Sequence, residues 1–263
     1  MTSPGQTDMK KIDEIFRGLP FIDASFKSDL LLTLVGRVRK ILADDIVGPA
    51  IDVDWLDPDQ ASRLRSAADI ACDLPLLPLS AIQLQQVRSA CADIVEEAPE
   101  WRRLIQFPVK YHRLESSDVI GCSCYATPQR VFLSEAAFST KRELREQIIH
   151  EHCHNWMYFL EELMPFHRID YREVFVLPSG TANRNPTEII GAAHVAATLS
   201  QWYAKQADAE SQQRVQHLSA YFDGCVGMLR SLPHDSLLPA GAEIVSLLIR
   251  SNERFSRRGD LVS

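Results

Sequence analysis

Apolar and polar positions alternate along most of this chain with the period of a helix. From Lys27 to Ile46, Leu30, Leu31, Leu34, Val38, Ile41 and Leu42 share one side while Lys and Arg residues take the other, which predicts an amphipathic helix. Weaker helical patterns cover Met9–Leu19 (ended by Pro20), Asp59–Cys72 and Ser80–Glu97, the last with Ser80 as its expected N-cap. Beyond Trp101 the period changes. Gln106–Leu114, Val119–Tyr125 and Arg130–Ser134 read as short strands, separated by turn signals at Ser116-Ser117-Asp118 and Thr127-Pro128. Pro108 places the start or an edge of the first strand there.

Helical periodicity returns over Leu144–Met164, with Ser139 as expected N-cap and an apolar stripe at Ile149, Cys153, Trp156, Leu160 and Leu163. A strand is expected over Ile169–Leu177. Three helices then follow, one opened by Pro186, one over Glu210–Arg230 and one over Gly241–Arg254. The sum is a mostly helical α+β fold with a small antiparallel sheet packed on the Leu144–Met164 helix. Residues 1–100 are expected to form an N-terminal helical region and residues 101–263 a catalytic core.

The Leu144–Met164 stretch carries H-E-x-x-H as His150, Glu151 and His154. Two His one turn apart leave the same side of a helix and can grip one ion. By chance the motif turns up on the order of once in a hundred chains of this length. The plain alternative is a surface helix with spare histidines, but this pattern has little packing use. His152 should point away from the pair as an outer-shell or surface residue. Cys153, in the stripe, reads as a small core residue.

A catalytic ion needs a third protein ligand. The compact continuation is absent, since Met157 stands where a Gly and Leu160 where a third His would be. His194 and Glu188, six residues apart on the Pro186 helix, are the candidates, and only one can face an ion. Asn185, Pro186 and Glu188 have the layout of a capping box, which would occupy the Glu188 carboxylate. His194, among Gly191, Ala192, Ala193, Ala196 and Ala197, has no such alternative use and is the favoured ligand.

Composition narrows the partners. The 263 residues carry a net charge of −7, with acidic residues grouped at Asp44, Asp45, Asp52, Asp54, Asp57 and Asp59, which argues against nucleic acid or an anionic membrane. No signal pattern opens the chain and no apolar run approaches spanning length, so a cytoplasmic protein is expected, with its six Cys reduced. Cys122 and Cys124 form C-x-C with no second pair, a weak basis for a structural zinc site.

Two chemistries suit the motif. Zn²⁺ would lower the pKa of a bound water and Glu151 would take its proton, giving a peptidase. Alternatively, Fe(II) would leave positions open for O₂ and a 2-oxo acid whose far carboxylate calls for an Arg. The chain from about Ser117 to Tyr203 resembles the H-E-x-x-H proteins found with ribosomally made, modified peptides. The likeness lies in GCSCYATP, VFLS, the helix form L-x-x-x-I-I-H-E-x-x-H-N and a loop with Arg184 and Pro186 leading to Gly191-Ala192-Ala193-His194. That family's aromatic-Gln is here His152-Cys153, and its adjacent Arg-Pro is here split by Asn185. The resemblance implies an Fe(II)- and 2-oxoglutarate-dependent oxygenase that hydroxylates a carbon of a peptide or amino-acid substrate. It also implies His150, His154 and His194 as ligands and Arg184 as the 2-oxoglutarate anchor, with Arg172 and Arg130 as rivals. In that setting Glu151 orients a ligand or a water.

Overall fold

The computed structural model describes residues 17–49, 53–70, 72, 74–116, 118–233 and 235–259, with side chains to residue 255. The helical pattern expected for Met9–Leu19 lies mostly outside the described residues. Described residues 28–163 form one compact unit, and those of residues 1–27 and 164–263 form a second. The helices before residue 100 therefore share a unit with the H-E-x-x-H helix and are not a region apart.

The first unit holds α1 (Ser28–Ile46), α2 (Pro58–Ala67), α3 (Ala81–Glu97), a short α4 (Arg102–Ile105) and the long α5 (Lys141–Leu163). Its strands are β1 (Leu77–Pro78), β2 (Lys110–Arg113), β3 (Gly121–Cys124) and β4 (Thr127–Leu133), in the order β1-β2-β4-β3. The fold is mostly helical α+β, as the patterning predicts. The sheet is mixed, because β2 runs parallel to β4 while β3 and β1 pair antiparallel with their neighbours. Strand β4, buried along its whole length, is central, and β3 forms an edge.

Local chemistry fixes the helix starts. Asp57 accepts from the amides of Asp59 and Gln60 ahead of Pro58, and Ser80 forms a capping box with Gln83. The cap of α5 is Thr140, one residue past the expected Ser139. Its Oγ1 accepts from the Glu143 amide at 3.0 Å, which brings Glu143 to the third helical position.

Helix α5 is locked to α1 by a buried ion pair. The guanidinium of Arg39 donates twice to Glu162 at 2.8 Å, and also to the Trp55 carbonyl and to Gln129. Both charged side chains are almost wholly buried and depend on each other.

The second unit is helical, with α6 (Pro186–Tyr203), α7 (Ala209–Ser231) and α8 (Pro239–Gly259). Asn185 and Glu188 cap α6 reciprocally, as the sequence indicates. The strand expected over Ile169–Leu177 reduces to one isolated pairing of Phe175 with Arg184. Its outward residues Ile169, Val174 and Val176 stay exposed, and no neighbouring strand buries them. Among the described residues, no helix is long and apolar enough to cross a membrane.

Candidate metal centre

Helix α5 is buried on nearly every side. From Glu146 to Leu160 every residue is buried except His150, His154 and Tyr158, which are half-buried. Those three stand at i, i+4 and i+8, one strip of the helix surface. The polar strip of this core helix is thus the H-E-x-x-H pair plus one further turn. Ile149, Cys153, Trp156 and Leu160 of the expected stripe are in the core.

The two imidazoles meet. His150 Nε2 lies 3.1 Å from His154 Nε2. Two nitrogens about 2.0–2.1 Å from one ion stand roughly 2.9 Å apart at right angles and about 3.3 Å apart at the tetrahedral angle. The observed spacing falls between these, and it is also that of the N–H···N hydrogen bond that joins the two rings here. The Tyr158 ring stacks on His154, 20° from parallel with centroids 6.2 Å apart.

Glu151 is 1% exposed and lies under the pair, towards the sheet. Ser123 on β3 donates its hydroxyl to Glu151 Oε2 at 2.8 Å. Glu151 Oε1 is 3.9 Å from His150 Nε2. Burial pushes the Glu151 carboxyl up to about 8, and the Ser123 hydroxyl works against that by stabilising the carboxylate. Tyr158 donates to the Ser123 carbonyl at 3.2 Å. Burial, followed by the nearby Glu151, raises the Tyr158 phenol, so it stays a neutral donor.

Close approach of β3 depends on Gly121. A Cβ there would stand 3.2 Å from Gln147 Oε1, 3.3 Å from Glu151 Oε1 and 3.4 Å from the Leu133 side chain. Ser123, Gly121 and Tyr158 are site residues that sequence reasoning missed. Ser123 and Gly121 depend on β3 meeting α5, which no local spacing signals, whereas Tyr158 follows His154 by four residues on the same helix, a spacing that could have pointed to it.

His152 is not a surface residue. It is wholly buried, with Nδ1 2.7 Å from the Ile148 carbonyl and Nε2 3.3 Å from the Tyr111 hydroxyl. Burial lowers it to about 4, so it remains neutral. Cys122 and Cys124 lie near Cys72 and form a thiol cluster on the Glu151 side. Burial, then the charge of Glu151, pushes Cys122 up to about 12, so without a bound metal it is a neutral thiol.

His194, the expected third ligand, belongs to the second unit and is wholly buried there. Its Nε2 lies 2.8 Å from the Pro20 carbonyl, so that nitrogen carries the proton. Nδ1 is left as a buried lone pair with no hydrogen-bond partner. Burial lowers His194 to about 4. Glu188 is engaged by the Asn185 amide at 2.8 Å and by Arg184. Arg184 is thereby committed to the start of α6. Arg172 is on the surface, bonded to the Ile169 carbonyl, and Arg130 is buried against Asp59, Ser62 and His112. Among the described residues, no three His, Cys, Asp or Glu side chains gather as a metal-holding group. Of the three expected ligands, His150 and His154 meet on α5 with Glu151 beside them, and His194 belongs to the other unit.

Comparison with known proteins leaves these geometric findings to stand by themselves: no protein-family model matches the chain, and no curated protein matches it significantly.

Proposed function

We propose that this protein is a metalloenzyme acting on a peptide or amino-acid substrate, its ion held by His150 and His154. The observation that carries the reading is the strip on α5. In a helix otherwise buried from Glu146 to Leu160, the two motif histidines reach the surface with their Nε2 atoms 3.1 Å apart. A buried helix that opens only at two histidines one turn apart and a tyrosine one turn further is hard to explain by packing alone.

The leading form of the proposal is an Fe(II)- and 2-oxoglutarate-dependent oxygenase that hydroxylates a carbon of its substrate. Iron would supply O₂ activation coupled to oxidative decarboxylation of the 2-oxo acid. His150 and His154 would fix the ion, and Glu151, held at Oε2 by Ser123, would orient a water or ligand from its Oε1 side. Strand β3 is an edge next to this helix, and such an edge accepts an extended peptide as an added strand. In His194, which belongs to the other unit, the N–H is bound by a backbone carbonyl and the other nitrogen is a bare lone pair, the state a ligating imidazole takes. Arg184 as the 2-oxoglutarate anchor would first have to leave Glu188.

A zinc peptidase is the second reading. It is favoured by the Glu151 carboxylate, which stands 3.9 Å from His150 Nε2 where a general base belongs. Burial, by raising the carboxyl, suits a base that must hold a proton near neutrality.

One experiment separates the two. The full-length protein is reconstituted anaerobically with Fe²⁺ and 2-oxoglutarate, then exposed to O₂ with a peptide library. A weak visible charge-transfer band, succinate formation and a peptide heavier by one oxygen atom support the oxygenase. Retained Zn²⁺ and cleaved peptides support the peptidase. Failure to bind either metal at His150 and His154 rejects both.

A further inference from the structure

We infer that edge strand β3 is a positioning device for the motif carboxylate: Ser123 holds one oxygen of Glu151, Gly121 leaves room for the other, and Tyr158 pins the strand. The inference rests on the metalloenzyme reading and deepens it, because it explains what aims Glu151.

A carboxylate buried to 1% exposure beside two imidazoles can turn about its last torsion. Here both oxygens are constrained. Oε2 accepts the Ser123 hydroxyl at 2.8 Å. Oε1 is on the His150 side, 3.9 Å from Nε2, in the space left by the missing Cβ of Gly121. Gly121 and Ser123 alternate along one strand, so both lie towards α5. The strand is itself tied down, since the Tyr158 hydroxyl binds the Ser123 carbonyl at 3.2 Å. The same Tyr158 ring stacks on His154. Carboxylate, strand and metal-binding imidazole thus form one closed set of contacts, all within residues 121–158 of a single unit.

Such a set differs from ordinary packing. A hydroxyl donor to a buried carboxylate favours its ionised form and fixes its direction. Outer-shell partners of this kind typically set metal affinity or activity by about 10–100-fold. Ser123 and Tyr158 are therefore positioning residues, acting through Glu151 and His154.

The test uses Co²⁺ as the probe on the full-length protein. Visible absorption bands report the coordination environment, and competition with a chelator gives the affinity. Ser123→Ala should weaken binding by about tenfold and shift the bands, and Ser123→Thr, which keeps the hydroxyl, should restore both. Glu151→Gln should give a similar loss, and the Ser123→Ala/Glu151→Gln double variant should be no worse than either single one. Gly121→Ala should act in the same direction more weakly, by crowding Oε1. Should Ser123→Ala lower only the melting temperature, leaving bands and affinity at wild-type values, the inference is wrong. Additive losses in the double variant overturn it as well. His150→Ala is the control for the underlying reading. If it leaves Co²⁺ binding intact, the metal site is rejected; if it abolishes binding while Ser123→Ala is silent, only the positioning role is.

Discussion

Helices α5 and α6 both carry candidate ligands, and they treat their histidines in opposite ways. On α5, His150 and His154 are half-buried and turn their Nε2 atoms towards each other. On α6, His194 is wholly buried, with Nε2 given to the Pro20 carbonyl. The same side chain meets a second imidazole on a half-buried strip in one place and is a neutral core residue bonded to a backbone carbonyl in the other. Relative position decides this. Two His at i, i+4 meet because the helix brings them together, whereas a lone His takes whatever partner the packing supplies.

The contrast can be broken most directly by removing an arm. His150→Ala or His154→Ala should reduce Co²⁺ or Fe²⁺ affinity by more than the roughly 100-fold that outer-shell changes cost, measured by chelator competition. Stability should change little, because both residues lie on the open strip. Loss of folding in place of loss of metal would make α5 a purely structural helix.

The anchors of the two helices should differ next. Arg39→Ala leaves Glu162 buried without its main partner and should cost on the order of 3–5 kcal/mol in urea unfolding. Arg65, also 3.0 Å from Glu162, should soften that loss, so Glu162→Gln tests whether charge or shape matters.

Acid should then expose the buried histidines. His152 and His194 are each held at about 4 by burial, below the ordinary 6.5 that they regain on unfolding. Between those values the unfolded chain binds more protons, so stability is full above about pH 6.5 and falls as pH drops towards 4, by about 3 kcal/mol per residue. Glu151, which burial raises to about 8, slopes the other way above about pH 4.5, so urea midpoints across that range should show the net fall, and His194→Gln should make it shallower. An unchanged slope would mean that His194 is solvated or charged in the folded protein.

The smallest effect belongs to the α6 cap. Glu188→Ala removes the reciprocal cap and the Arg184 pair, and should cost about 1 kcal/mol with metal affinity unchanged. If Glu188→Ala strips the metal instead, the proposed ligand set is wrong.

Much of this was legible from local pattern. The N-cap at Ser80, the capping box at Asn185, the core stripe of α5 and the meeting of His150 with His154 are all set by spacings within a few residues. Short-range signals misled where burial was the deciding term. Ile169–Leu177 has strand composition, yet among the described residues its one β-bridge is Phe175 with Arg184. Spacing leaves His152 as an outer-shell or surface residue, because its angle on the helix says nothing about Tyr111 and Phe107 packing over it.

The sequence by itself determined a mostly helical chain, its principal elements and a helix on which two imidazoles meet, since all of these depend on neighbours three or four residues away. Tertiary structure alone decided that Ser123 and Gly121 would cradle Glu151, that Arg39 would bind Glu162 and that Pro20 would take His194 Nε2. Those contacts join residues 28 to 174 positions apart. Such pairings are set by how whole elements pack, and local periodicity does not encode that.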